Sequence, residues 1–324
     1  MSTNDHTVPK MYLRRFARHT RGDGYFIVAS EVDEPTKSFE TNVRNVGAAK
    51  GFYWGTDVDG VPHHHMETLL GKIETGASKA FSLILDDPEY ALPERWPLPD
   101  AHRAKLSWWI AAQLLRTTRQ RHRINHIAES ESTLEVSPTL AAAAASNRHI
   151  AFIVERLSSL AALIHNRPWG LGFSTPCLQT SDVPVVILNG HDDEKQIRAA
   201  EYWDIVLPLD PHRLLMLPGV HARAADPDKQ LDHRIVFGGE GLILLDIVRD
   251  AADRHLFHHP EHVPRNPTGR TDPRLPTPWK GDTRTSGPEY LIEYEALAPN
   301  LTVEQRWVHE HPPGPRSGAV HAYG

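Results

Sequence analysis

Cysteine is almost missing from this chain: Cys177 stands alone among 324 residues, so no internal disulfide can form. A fold without cross-links suits a reducing compartment, and the expectation is a cytoplasmic protein in which Cys177 serves as a small apolar side chain. Long apolar runs are missing too. No stretch approaches the roughly 18 residues that a membrane span requires. The N-terminal MSTNDHTVPKMYLRRF lacks the uninterrupted apolar core of a secretory signal, so no membrane partner is expected. Charge of one sign is not in large excess. A net charge of -6 supplies no global drive towards nucleic acid, and leaves that partner open at the level of local patches. The chain also has no Walker-type phosphate loop, no Gly-x-Gly-x-x-Gly fingerprint, no His-Glu-x-x-His and no Cys-x-x-Cys. The commonest nucleotide folds and zinc motifs are thereby excluded.

What is present divides the chain in two. At this length a sizeable core can be buried without metals or cross-links, and the 40% hydrophobic fraction is ordinary for a globular protein. Of 26 prolines, 11 lie in the last 66 residues. That skew predicts a single domain over 1–259, followed by a Pro-rich extension over 260–324 that is an arm or partly disordered. Within the extension only Tyr290 to Leu297 looks ordered.

The periodicities indicate an α+β fold, with long central helices packed on a mixed or antiparallel sheet. Thr7 and Pro9 read as the start of a helix carrying Met11, Tyr12, Leu13 and Phe16. A hairpin is expected from Gly24–Ser30 and Lys37–Thr41, then helices over Met66–Leu85, Asp100–Ile127 and Ser137–His165. Trp169–Ser174, Val183–Leu188, Ile205–Pro208 and Leu214–Leu217 read as strands. An apolar helix, Leu242–His258, is expected to end at Pro260.

The helix predicted over Asp100–Ile127 carries polar residues in apolar register. Leu106, Ile110, Leu114 and Ile124 define its greasy face, and Gln113, Thr117 and Arg121, spaced i, i+4, i+8, fall on it, with Arg116 at its edge. Burying amide and guanidinium groups costs several kcal/mol unless they are paired. Their partner must be a carboxylate, a ligand anion or cleft solvent. From His102 to Ala128 there are six Lys or Arg and no Asp or Glu, a balance suited to gripping phosphate or carboxylate.

Several blocks occur in an order that resembles the domain of unknown function 4238 family of microbial proteins: HTVPKMYLRRFA at 6–17, Arg44 to Gly55 ending FYWG, Glu67 and Glu74, LSWWIAAQLLRTTRQR at 106–121, TSDVPVVI at 180–187 and LPLDPHRLLML at 207–217. The resemblance spans about residues 6–260. It implies one domain there and no established activity. The family's central block usually reads Gln-x-x-Arg-Thr-Pro, where this chain has Thr118 at the proline position. Its last strand block commonly has Asn after Ser-Asp, where this chain has Val183.

The candidate site follows from these blocks. His6 precedes a helix N-terminus and could act as acid, base or anion ligand, or simply as a capping residue. Asp182 is either a base pairing with Arg121 or Arg116, or the acceptor of a turn. Gln113, Arg116, Arg121 and Ser181 would contact substrate. Ser181 lacks the Gly-x-Ser-x-Gly setting of a nucleophile. Glu67 and Glu74 share a helix face and either receive Arg121 and Arg116 or hold a cation. Among 21 histidines, His255, His258 and His259 offer imidazoles for a divalent metal at a helix end, whereas His63, His64 and His65 read as a surface loop. The leading expectation is an anion-binding hydrolase acting on a phosphate ester, such as a nucleotide or nucleic acid. The alternatives are a non-catalytic binding protein with a buried Arg-Gln-Glu network, and a metal- or haem-dependent tailoring enzyme using histidine.

Overall fold

The computed structural model describes residues 4–20, 22, 24–34, 37–91, 95, 98–131, 138–174, 176–189, 204–219, 233–237, 241–264, 277–278 and 320–323. Strand β1 (Asn4–His6) leads into α1 (Lys10–Leu13), and β2 (Arg18–Thr20), β3 (Gly24–Glu31) and β4 (Ser38–Asn42) form an antiparallel ribbon. β5 (Ala48–Lys50) returns to pair with β1, placing His6 opposite Ala48. β6 (Gly55–Thr56) and β7 (Pro62–His63) make a small hairpin before α2 (His65–Asp86). Then come α3 (Asp100–Leu115), α4 (Thr118–Glu131) and α5 (Pro138–His165). The second half holds β8 (Gly170–Ser174), β9 (Thr180–Ser181), β10 (Val186–Asn189), β11 (Asp204–Asp210), β12 (Arg213–Leu217) and β13 (His233–Phe237). It closes with α6 (Gly241–Ala251), β14 (His255–His258), β15 (Thr277–Pro278) and β16 (Val320–Tyr323). This is an α+β fold, as the periodicities predict. No described helix is long and apolar enough to cross a membrane.

Seven strands form one mixed sheet in the order β15-β10-β11-β12-β8-β13-β16, parallel only where β13 meets β8 and β16. Its alternation shows why it is covered on both sides. Ile187, Ile205, Leu207, Leu215 and Leu217 join the main core, while Val186, Leu188, Val206 and Leu214 pack with Leu244, Leu245 and Ile247 of α6. A second sheet runs β2-β3-β14-β9, with β4 on β3. The main core is centred on α3, which packs most heavily against α5 and α2. Tyr12 of α1 sits within it, 5.3 Å from the Trp109 ring and 6.1 Å from that of Phe81. The Tyr12 hydroxyl meets Thr180 Oγ1 and donates to the Pro208 carbonyl, both at 2.7 Å. Burial holds that phenol protonated at any ordinary pH. One tyrosine thus ties the N-terminal helix to both sheets.

Three sequence expectations need correction. The helix expected over Asp100–Ile127 is two helices, broken at Arg116 and Thr117. Thr117 Oγ1 accepts the Gln120 N–H at 3.2 Å, the geometry of an N-cap, and Thr118 becomes the first helical residue of α4. A proline at position 118, as in the family pattern, would suit that first position. Thr7 does not cap α1: Pro9 holds the N-cap position with no side-chain cap. Instead Thr7 Oγ1 donates to the Gly47 carbonyl. Gly47 has φ +61°, and a Cβ there would lie 3.0 Å from that of Val8, so the close approach requires glycine. The last helix ends at Ala251, and His255–His258 is a strand between β3 and β9. The expected ordered segment Tyr290–Leu297 lies outside the described residues.

Candidate functional site

A cavity of about 670 Å³ opens between α1 and α2. Its exposed mouth carries Lys10, Arg14, Glu67 and Lys79, and its deep wall is made by the buried Tyr53, Leu70 and Arg116. His6, half-buried at the end of β1, completes one side. The helical spacing of α2 explains the rest: Glu67, Leu70, Gly71, Glu74, Ser78 and their neighbours follow one another along the one side of the helix that borders the cavity. At Gly71 nothing lies within 4 Å of where a Cβ would stand, so the missing side chain leaves room inside the cavity.

Arg116 is the deepest cation, 1% exposed. The break after α3 is what sends it towards α2, where its Nη1 donates to Glu74 Oε1 at 2.8 Å. Its Nε and Nη2 are shut off from bulk water and have no protein partner among the described residues. These two N–H groups form one edge of the guanidinium fork, the edge that takes a planar or tetrahedral oxyanion in bidentate fashion. The Tyr53 hydroxyl is in the same state, buried without a protein partner. Burial pushes its phenol up to about 12, against the opposing pull of the Arg116 charge, so it is a hydroxyl donor at neutral pH. Tyr53 is held in place through its backbone N–H, which donates to Asp5 Oδ2 at 2.9 Å. Just beneath the surface of the deep wall there are therefore three hydrogen-bond donors lacking protein acceptors among the described residues, behind a mouth bearing three cationic side chains and one carboxylate.

Four residues singled out from sequence, His6, Glu67, Glu74 and Arg116, share this cavity. The others do not line it. Gln113 is 2% exposed, and neither its amide oxygen nor its nitrogen has a protein partner among the described residues. Arg121 serves the fold. It donates to the Phe52 carbonyl, approaches Ser146 Oγ and His149 Nδ1, and lies 3.8 Å over the Phe52 ring. Burial, reinforced by the Arg121 charge, pushes the His149 imidazole down to about 3. The ring is thus neutral, able to accept at Nδ1 while Nε2 donates to the Leu115 carbonyl at 3.0 Å.

Of the two expectations for Asp182, base or backbone acceptor, its contacts match the second. Its carboxylate accepts the backbone N–H groups of Asp253, Arg254 and His255 at 2.8, 2.7 and 3.1 Å, which ties β9 to the turn before β14. Burial nevertheless pulls its pKa upward. Ser181, expected at substrate, is fully buried, and its hydroxyl closes a local turn with Val183. The imidazoles of His255, His258 and His259, expected to offer a divalent-metal site, do not bring their ring nitrogens into one group among the described residues. His255 Nδ1 lies 3.9 Å from Asp182, His258 Nδ1 meets the His259 carbonyl at 3.0 Å, and His259 Nδ1 accepts the Glu261 N–H. The rings whose nitrogens do meet are His212 and His262, beside Cys177.

Sequence reasoning missed Tyr53, Lys10, Arg14 and Lys79. Tyr53 sits inside the aromatic FYWG block, where an apolar reading hides its hydroxyl. The three cations are ordinary surface residues until α1 and α2 set them around one opening.

No curated protein and no solved structure matches the chain. A family model does match, over residues 4–263, and that span takes in all the described helices, every described strand except β15 and β16, and every wall of the cavity. The chain accordingly belongs to the family described as Protein of unknown function (DUF4238).

Proposed function

We propose that the cavity between α1 and α2 binds a phosphate ester, and that the protein hydrolyses it. The observation that carries this reading is Arg116, a buried cation in the wall of a roomy cavity whose Nε and Nη2 lack a protein acceptor among the described residues. A buried polar group without a partner costs about 1–3 kcal/mol, and more when it is charged. A phosphoryl oxygen seated against this wall accepts from Arg116, and a second from the Tyr53 hydroxyl. Lys10, Arg14 and Lys79 draw the anion towards the mouth. Water bonds to phosphorus as the ester P–O bond breaks and its proton passes to solvent, His6 gives a proton to the departing oxygen, and Glu74 keeps the guanidinium plane aligned. Asp182 has no part in the reaction.

The test is a panel of phosphomonoesters, phosphodiesters and nucleotides, with turnover and binding measured separately. Arg116→Met should weaken binding by about 10–100-fold, the worth of one or two charge-assisted hydrogen bonds. His6→Gln should abolish turnover while leaving phosphate affinity within a few-fold. Full turnover in both variants rejects the assignment. A second reading, a non-catalytic anion-binding protein, draws support from the Arg116–Glu74 pair, which joins α3 to α2 whether or not a reaction occurs. Binding without turnover of any panel member would favour it.

A further inference from the structure

Three soft or borderline donors that do not line the cavity converge elsewhere in the fold. Cys177 Sγ lies 3.9 Å from His262 Nδ1, and His212 Nε2 lies 3.2 Å from that same nitrogen. All three donor atoms fall within 4.8 Å of one another. They come from separate places in the chain: the segment after β8, the β11–β12 turn and the turn after β14. We propose that Cys177, His212 and His262 form a binding site for a zinc-class divalent ion.

The geometry is the argument. With metal–nitrogen bonds of about 2.0–2.1 Å and a metal–sulfur bond of about 2.3 Å at tetrahedral angles, ligand atoms stand about 3.4 Å apart for two nitrogens and about 3.6 Å apart for nitrogen and sulfur. The observed 3.2 and 3.9 Å bracket those spacings. A single nitrogen, His262 Nδ1, faces both other donors. A cation between them satisfies all three lone pairs. The backbone holds the donors in place before any ion arrives. Leu178 N–H donates to the Pro211 carbonyl at 2.7 Å and Ser174 N–H to the His212 carbonyl at 2.8 Å, binding the Cys177 segment to the β11–β12 turn. Asp210 Oδ1 accepts the N–H groups of His212 and Arg213, both at 2.8 Å, which fixes that turn. The His262 N–H donates to the His259 carbonyl at 3.2 Å and shapes the third arm.

The ligand set selects the metal. One thiolate with two imidazoles suits a borderline-soft ion and disfavours magnesium or calcium, which take oxygen ligands. Cys177 enters as thiolate and releases its proton to solvent on binding. His212 is exposed, so the fourth position of a tetrahedron is left to water, the pattern of an open rather than a closed zinc site. Because Cys177 and His212 flank strands of the seven-stranded sheet while His262 follows β14 of the other, the ion also staples the two sheets.

The experiment uses the full chain stripped with a chelator and titrated with cobalt(II). The expected result is a thiolate-to-cobalt charge-transfer band in the near ultraviolet that saturates at one equivalent and is bleached by zinc. Cys177→Ser should lose the band. His262→Ala and the surface change His212→Asn should each weaken binding by more than the roughly 10–100-fold that outer-shell changes cost. His65→Ala, in the histidine loop before α2, should change nothing. Zinc should raise the Tm of the native chain and leave that of Cys177→Ser unmoved. Absence of the thiolate band, or its persistence at full strength in both His262→Ala and His212→Asn, overturns the assignment.

Discussion

Arg116 and Arg121 are the same side chain on either side of one helix break, and they have opposite fates. Arg121 is spent: a carbonyl, an imidazole, a hydroxyl and an aromatic face surround it, and all of them belong to the protein. Arg116 gives Nη1 to Glu74 and keeps Nε and Nη2 without a protein acceptor among the described residues, at the wall of a cavity. A guanidinium with every donor satisfied by the fold is part of the scaffold. One that the fold leaves short, next to space, is where a ligand gains most by binding.

That contrast can be broken by experiment. The largest effect should come from Arg121→Met, which strands the Phe52 carbonyl and the His149 nitrogen together and should destabilise the fold by about 3 kcal/mol in urea unfolding. Arg116→Met should cost well under half as much, since its partner Glu74 can turn to solvent. Equal losses in the two variants would erase the distinction.

A second effect concerns pH. His149 titrates near 3 in the folded protein and near 6.5 when unfolded. The unfolded chain therefore binds the proton first as pH falls. The stability that rests on the neutral ring is fully present above about pH 6.5 and drains away as pH drops towards 3. Going from pH 7 to pH 5 should cost about 2 kcal/mol at this residue. The slope should shrink in His149→Gln, which is checked by unfolding each protein at both pH values.

Smaller still is Tyr53→Phe. If the hydroxyl is a waiting ligand donor, its removal should weaken phosphate binding by about 5–10-fold while leaving stability unchanged or raised by up to ~1 kcal/mol, because an unpartnered buried group is lost. A clear loss of stability would place Tyr53 with Arg121 on the scaffold side. The smallest effect is expected from Gly71→Ala. The added methyl meets open space, so the helix should gain about 0.5–1 kcal/mol while the cavity narrows, which a thermal melt and a phosphate titration would read together.

Most of the architecture could be read along the chain. The spacing of Leu70, Ile73, Ala77, Phe81 and Leu85 finds α2 nearly to the residue, and the apolar stretches Ile205–Pro208 and Leu214–Leu217, set off by Pro, Asp and Gly turns, find two central strands. The misreadings have local causes. Continuing one helical wheel past Arg116 put Gln113 and Arg121 on a common face, whereas Thr117 starts a new helix and turns Arg121 towards Phe52. The apolar run from Leu242 to Phe257 concealed a change from helix to strand at Asp253 and Arg254, because β14 owes its form to pairing with β3 and β9. Asp182 and Ser181 read as chemistry from their side chains, and the backbone groups that occupy them lie far away in sequence or at the next turn.

The sequence by itself determined most of the helices and strands, which faces are greasy, and that arginine and glutamine would be carried inward among apolar neighbours. These follow from steric preference and periodicity, which act over a few residues. Only the tertiary structure decided which of those polar groups are satisfied, that Tyr53 and Arg116 meet a cavity, and that Cys177, His212 and His262 converge. Hydrogen-bond saturation and empty space depend on neighbours brought together from distant parts of the chain.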